Sequence, residues 1–89
     1  MTVCKHVFYS GRVQGVGFRY TAQNVAEDFE VAGYVRNLPD GTVEVLAEGS
    51  PQQVDAFLTA LAQRMAGYIE QTRVVEEGPS GAKDFRVRY

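Results

Sequence analysis

Valine, phenylalanine and tyrosine crowd residues 3 to 13, and Val7, Tyr9 and Val13 fall on one parity, a two-residue period that predicts a β-strand. From Phe18 the period lengthens. Ala22, Val25, Ala26 and Phe29 stand at i, i+3, i+4 and i+7, which predicts an amphipathic helix running to about Ala32 and closed by Gly33. The stretch GYVRNLPDGTVEVLAEG predicts a hairpin, with LPDG as its turn and Val43, Val45 and Ala47 alternating against Glu44 and Glu48. Ser50 is placed to cap a second helix, with Pro51 at its first position and Gln53 where a capping-box side chain reaches back. Val54, Phe57, Leu58, Leu61 and Met65 carry the apolar stripe of that helix until Gly67 stops it. Residues 68 to 76 are strand-like but alternate poorly, whereas the closing FRVRY alternates cleanly.

The order β-α-β-β-α-β plus a short last strand predicts an α+β fold. The expected form is a ferredoxin-like split βαβ sandwich, an antiparallel sheet with both helices on one face. A chain of 89 residues suffices for one domain, spanning 1–89, that buries roughly 60–65% of its unfolded surface, and is too short for two. With 45% apolar and 22% charged residues it has the composition of a globular protein rather than a disordered one. No segment approaches the ~18 apolar residues of a membrane span, and MTVCKHVFYSGRV alternates instead of building a signal-peptide block. A cytoplasmic monomer with no membrane partner is the expectation.

Charge and chemistry narrow the picture further. The net charge of −2 argues against neutralising a polyphosphate backbone as the main task. Residues 1 to 26 nevertheless hold Lys5, Arg12 and Arg19 and no acid, while all 11 carboxylates lie from Glu27 onward. Cys4 has no partner for a disulfide, and with His6 it supplies at most half a metal site, so both read as strand residues and no metal is expected.

The basic end contains GRVQGVGFRY, residues 11 to 20, between the first strand and the first helix. It could be a plain turn, an anion cradle or a strand motif for stacking bases. The helix it opens starts with Arg19 and places Glu27, Asp28 and Glu30 toward its other end, the reverse of the usual charge order, which leaves the amino end open to an external anion. Glycines there let several amides point at one oxyanion, and an arginine adds a two-pronged donor for phosphate oxygens. The loop lacks the Gly-Lys-Ser/Thr ending of a P-loop, and Tyr20 stands where a dinucleotide fingerprint needs its third glycine. The likeness of GVGFRY to the glycine-aromatic signature of RNA-recognition modules fails on position, because that signature belongs on the third strand and TVEVLAE carries no aromatic residue.

GRVQGVGFR followed at Gly33 by GYVRNLPDGTVEVLAEG resembles the two signature segments of the acylphosphatase family, in order and separation, and the likeness extends over nearly the whole chain. One departure is Tyr9, where an aliphatic residue is common. The resemblance implies a metal-independent acylphosphate phosphohydrolase needing no cofactor. It implies that Arg19 and loop amides bind the phosphoryl group, with Gln14, Gly15, Val16, Gly17 and Phe18 as the other substrate-binding positions. Asn37 would position the attacking water, and Arg19 and Asn37 are the expected catalytic pair. The substrate would be a small acyl phosphate of the acetyl, carbamoyl or bisphosphoglycerate type, with inorganic phosphate as product and inhibitor and no nucleic-acid partner. A non-enzymatic accessory domain of a larger carbamoyl-transferring protein is the other reading; a chain that ends after one domain and keeps both residues favours the free-standing hydrolase. Asp40 is the carboxylate of the turn that follows Asn37, and asparagine cannot accept a proton at neutral pH.

Overall fold

A computed structural model describes all residues from Met1 to Tyr89. The elements follow the order β1 (Val3–Gly11), α1 (Phe18–Ala26), β2 (Ala32–Asn37), β3 (Val43–Gly49), α2 (Pro51–Arg64), β4 (Ile69–Glu77) and β5 (Phe85–Arg88). The sheet order is β4-β1-β3-β2-β5. The first four strands pair antiparallel, as the ferredoxin-like arrangement requires, and β5 joins β2 in parallel, so the finished sheet is mixed.

Strand register sorts the faces. Val7 and Tyr9 of β1, Val35 of β2, and Val43 and Val45 of β3 are buried beneath the helices. They meet Phe18, Ala22 and Val25 of α1 and Val54, Phe57 and Leu61 of α2 in one apolar core. Cys4, His6, Phe8 and Glu44 take the opposite parity, on the helix-free face. There Glu44 is only 5% exposed, and it is held by His6 Nε2 at 2.6 Å and by Arg36 Nη2 at 2.7 Å. Cys4 and His6 are therefore packed strand residues; burial, with Glu48 and Glu77 adding to it, pushes the Cys4 thiol up.

Three boundaries or contacts differ from the sequence pattern. The first helix ends at Ala26 rather than near Ala32, because Ala32 pairs with Glu48 in the sheet and Gly33 N–H donates to Asp84 O at 2.8 Å. Phe29 still packs against the core, but from the turn after the helix, and only Glu27 of the three expected acids stands at the helix end. Gln53 does not complete a capping box. Its backbone N–H donates to Ser50 Oγ at 3.2 Å, while its side-chain Oε1 accepts from Glu30 N–H at 2.8 Å and ties α2 to the α1–β2 turn. The poor alternation of β4 follows from its place at the sheet edge, where Glu70 through Glu77 are all exposed. Gly33 has a φ of 144°, and a Cβ there would stand 1.8 Å from Leu46 O, so the close approach of β2 to β3 admits glycine alone.

Candidate active site

Three strands deliver their carboxyl ends to one edge of the molecule. Strands β1 and β2 both run antiparallel to β3, and β5 runs parallel to β2, so β1, β2 and β5 point the same way. The helix after β1 runs back, which sets its amino end beside the carboxyl ends of these strands. Crevices at such ends are where open sheets bind ligands. Here the edge gathers the loop from Arg12 to Gly17, Asn37 as the last residue of β2, and Tyr89 directly after β5.

The loop is built to leave its amides free. Arg12 N–H donates to Tyr68 O at 2.9 Å, fastening the loop where it leaves β1. Gly15 and Gly17 take φ of 75° and 78°, and a Cβ at either would meet nothing within 4 Å. The backbone angle, not lack of space, is what calls for glycine. Gly17 is the N-cap of α1 and has no side chain with which to bond the first turn, and that turn carries no acid. None of the backbone N–H groups of residues 14 to 20 donates to an acceptor in the protein. They stand at the positive end of the helix dipole, in a bend of the kind that concentrates amides on an anion.

Arg19 and Asn37 meet across this bend. With Gly15, Gly17, Phe18 and Tyr20 they line a pocket of about 110 Å³. Arg19 enters no salt bridge; its guanidinium lies 4.8 Å from the centre of the Tyr89 ring, a cation–π contact that holds it without neutralising it. Asn37 shares the helix-facing parity of Gly33 and Val35 and is half-buried, and its carboxamide joins none of the side-chain hydrogen bonds around the turn.

Two of the sequence-predicted binding positions stand outside the pocket. Gln14 is turned away: its Nε2 donates to Leu38 O at 2.8 Å and to Thr42 O at 2.9 Å, clamping the loop to the β2–β3 turn beside Asn37. Val16 packs against the core. Phe18 is 2% exposed and its ring centre lies 5.0 Å from that of Tyr9, so the unusual Tyr9 supports the residue that anchors the start of α1. Burial pushes the Tyr9 phenol up.

Asp40, the carboxylate of the β2–β3 turn, does not line the pocket. Its Oδ1 accepts from Thr42 Oγ1 at 2.6 Å and from Thr42 N–H at 3.0 Å, and these bonds, the side-chain one foremost, hold the carboxyl below its ordinary value. A carboxylate so committed to its turn is a poor proton acceptor. Sequence reasoning missed Tyr20 and Tyr89. The alternation of FRVRY puts Tyr89 on the parity of Phe85 and Val87, which was readable, but the strand beside which β5 lies was not.

Comparison with known proteins agrees with this geometry. The acylphosphatase family model matches residues 5–87. An acylphosphatase of Methanospirillum hungatei is 44% identical over 81 residues, 89% of each chain. The crystal structure of acylphosphatase from Bacillus subtilis superposes with a TM-score of 0.87 at 34% identity, covering 100% of both chains. HypF from T. kodakarensis superposes with a TM-score of 0.85 at 29% identity, covering 98% of this chain but 12% of that one. A bend with unpaired amides, an unneutralised arginine and a facing asparagine, on a fold shared end to end with such enzymes, leads to one assignment: the chain belongs to the acylphosphatase family and hydrolyses acyl phosphates.

Proposed function

We propose that Arg19 and the backbone amides of residues 14 to 20 bind the phosphoryl group of the acyl phosphate while Asn37 holds the attacking water. The observation that carries the reading is the shared pocket of Arg19 and Asn37 beside amides that have no partner in the protein. An acyl phosphate is a mixed anhydride whose carboxylate leaves readily, so attack at phosphorus passes through a loose transition state that asks little of a base. Water adds to phosphorus, the bond from phosphorus to the bridging oxygen breaks, and the carboxylate departs with the bonding pair. The water's proton passes to a phosphate oxygen. What remains for the protein is placement and stabilisation of charge on the equatorial oxygens, which Arg19 and the amides supply from fixed positions.

In this scheme no metal is required, and inorganic phosphate, as product, competes for the same amides. One apolar core joins both helices to the sheet, which supports a single domain over 1–89, and a monomer is part of the same proposal. No helix is long and apolar enough to cross a membrane, in keeping with a cytoplasmic site of action.

The test is hydrolysis of acetyl phosphate in excess chelator by the natural chain and by Arg19→Ala. The natural chain keeps its rate, and the variant loses ~10²–10³-fold, as when one electrostatic stabiliser is removed. Chelator-sensitive activity would reveal a metal dependence, and an unimpaired Arg19→Ala would overturn the assignment of Arg19.

A further inference from the structure

The helix-free face holds a hollow that the hydrolysis does not use. It has a volume of about 460 Å³ and lies where β4, β1 and the β2–β3 turn come together. Phe8 and Ser10, both on the outward parity of β1, form its floor, and they pair with Arg73 and Gln71 of β4. Leu38, Asp40 and Thr42 of the turn close the other side. None of these residues lines the cradle. A concavity of this size with a few convergent polar groups is the usual form of a small-molecule site.

Its two charges stand apart, and each has capacity to spare. The Arg73 guanidinium lies 4.4 Å from the centre of the Phe8 ring and enters no salt bridge. Asp40 takes both Thr42 bonds on Oδ1, which leaves Oδ2 without a donor in the protein. Those bonds hold its carboxyl below the ordinary value, so it is ionised at neutral pH. In the sheet order β1 comes between β4 and β3, so Arg73 stands on one flank of the floor and Asp40, in the turn that leads into β3, on the other. Phe8 and Leu38 offer apolar surface between them.

We propose that this hollow is an effector site for an apolar α-amino acid, whose carboxylate meets Arg73, whose ammonium meets Asp40 and whose side chain lies on Phe8 and Leu38. A guanidinium pairs a carboxylate through two parallel bonds, and the free oxygen of a carboxylate accepts from an ammonium. A simple anion would face Asp40 as a like charge, and a simple amine would face Arg73 in the same way. Only a molecule carrying both signs is favoured at both ends. Occupancy reaches the active edge through the turn. Leu38 O and Thr42 O are the acceptors that Gln14 Nε2 clamps, and Leu38 directly follows Asn37. An amino acid bridging β4 to Asp40 braces that turn without entering the cradle, a consequence that rests on the role given above to Asn37.

The experiment titrates L-leucine, 4-methylpentanoate, which lacks the ammonium, and 3-methylbutylamine, which lacks the carboxylate, into the isotopically labelled full chain and follows its amides by NMR. Leucine binds with a Kd on the order of 1 mM, the scale of so small a ligand, and shifts Ser10, Thr42 and Arg73. Each analogue binds at least about fivefold more weakly, as when one charged hydrogen bond is lost at an exposed site. Arg73→Gln abolishes the advantage of leucine over the amine, and Asp40→Asn its advantage over the carboxylate. Saturating leucine raises kcat of Gln14→Ala for acetyl phosphate about fivefold, part of what a loosened Asn37 costs, and does nothing for the double variant Gln14→Ala with Arg73→Gln. Absence of leucine shifts at the hollow, or an analogue that binds as tightly as leucine, overturns the site. Leucine bound there with no gain in Gln14→Ala overturns its role as an effector. Either failure leaves the hydrolase reading intact, which falls instead if the natural chain does not hydrolyse acetyl phosphate.

Discussion

Gln14 separates two ways of building this site, because the sequence places it among the substrate contacts and the structure turns it onto the turn that carries Asn37. In Gln14→Ala the two bonds from Nε2, at 2.8 Å to Leu38 O and 2.9 Å to Thr42 O, are both lost. A neutral hydrogen bond contributes about 1 kcal/mol net, and less where water can replace it, as at this exposed residue. The two together are worth about 1 kcal/mol, which in a domain of this size lowers Tm by roughly 4–8 °C. The catalytic loss is larger than that figure suggests. With the clamp gone, the turn and the loop no longer fix Asn37 against Arg19, and a displacement of about 1 Å between reacting groups costs ~10²-fold in rate.

The assay that decides is a pair of measurements on the same variant: kcat for acetyl phosphate, and the inhibition constant of inorganic phosphate. The amides of residues 14 to 20 and Arg19 are untouched by the truncation, so phosphate should bind within about threefold of the natural chain while kcat falls by ~10²-fold. Loss of phosphate binding as large as in Arg19→Ala, at unchanged thermal stability, would refute the clamp and return Gln14 to the anion.

The remaining predictions test the water and the base. Asn37→Ala should lower turnover by at least tenfold and leave phosphate inhibition nearly unchanged; equal losses in both would make Asn37 a binding residue rather than a holder of water. Asp40→Asn keeps an acceptor for the Thr42 bonds and should leave kcat and its profile from pH 5 to 8 within about twofold, the range of an ordinary surface substitution. A fall of 10²-fold or more in Asp40→Asn would identify Asp40 as the general base, acting in spite of its bonds to Thr42.

How much of this was legible depended on the range of the interaction involved. Short-period patterns fixed β1, the hairpin and α2, since Val7 and Tyr9, or Val54, Phe57 and Leu61, reach the core by local geometry. The end of α1 was misread for the opposite reason. Phe29 keeps the helical spacing and does pack on the core, yet pairing of Ala32 with Glu48 and the bond of Gln53 to Glu30 N–H pull the chain out of the helix first. Strand β4 could not show its place, because an edge strand exposed on both faces has no buried side to alternate with. Gln14, likewise, carries a polar side chain that suits either a ligand or a carbonyl, and only the approach of the β2–β3 turn decides between them.

The site itself was half visible for a topological reason. Residues 11 to 20 announce an anion cradle because glycine φ, helix dipole and missing acid all act within one turn of the chain. Asn37 lies far along the sequence, and no spacing rule brings it to Arg19. It arrives because a helix crossover returns β2 parallel to β1, so that both strands finish at the end where α1 begins. The same rule, applied once more through the parallel pairing of β5 with β2, brings Tyr89 to the guanidinium of Arg19. Cradle, asparagine and ring are thus three carboxyl ends of like-directed strands around one helix terminus. That makes the direction of β5 a functional matter: an antiparallel last strand, as the sequence order alone allows, would carry Tyr89 to the far edge and leave Arg19 without the surface on which it rests.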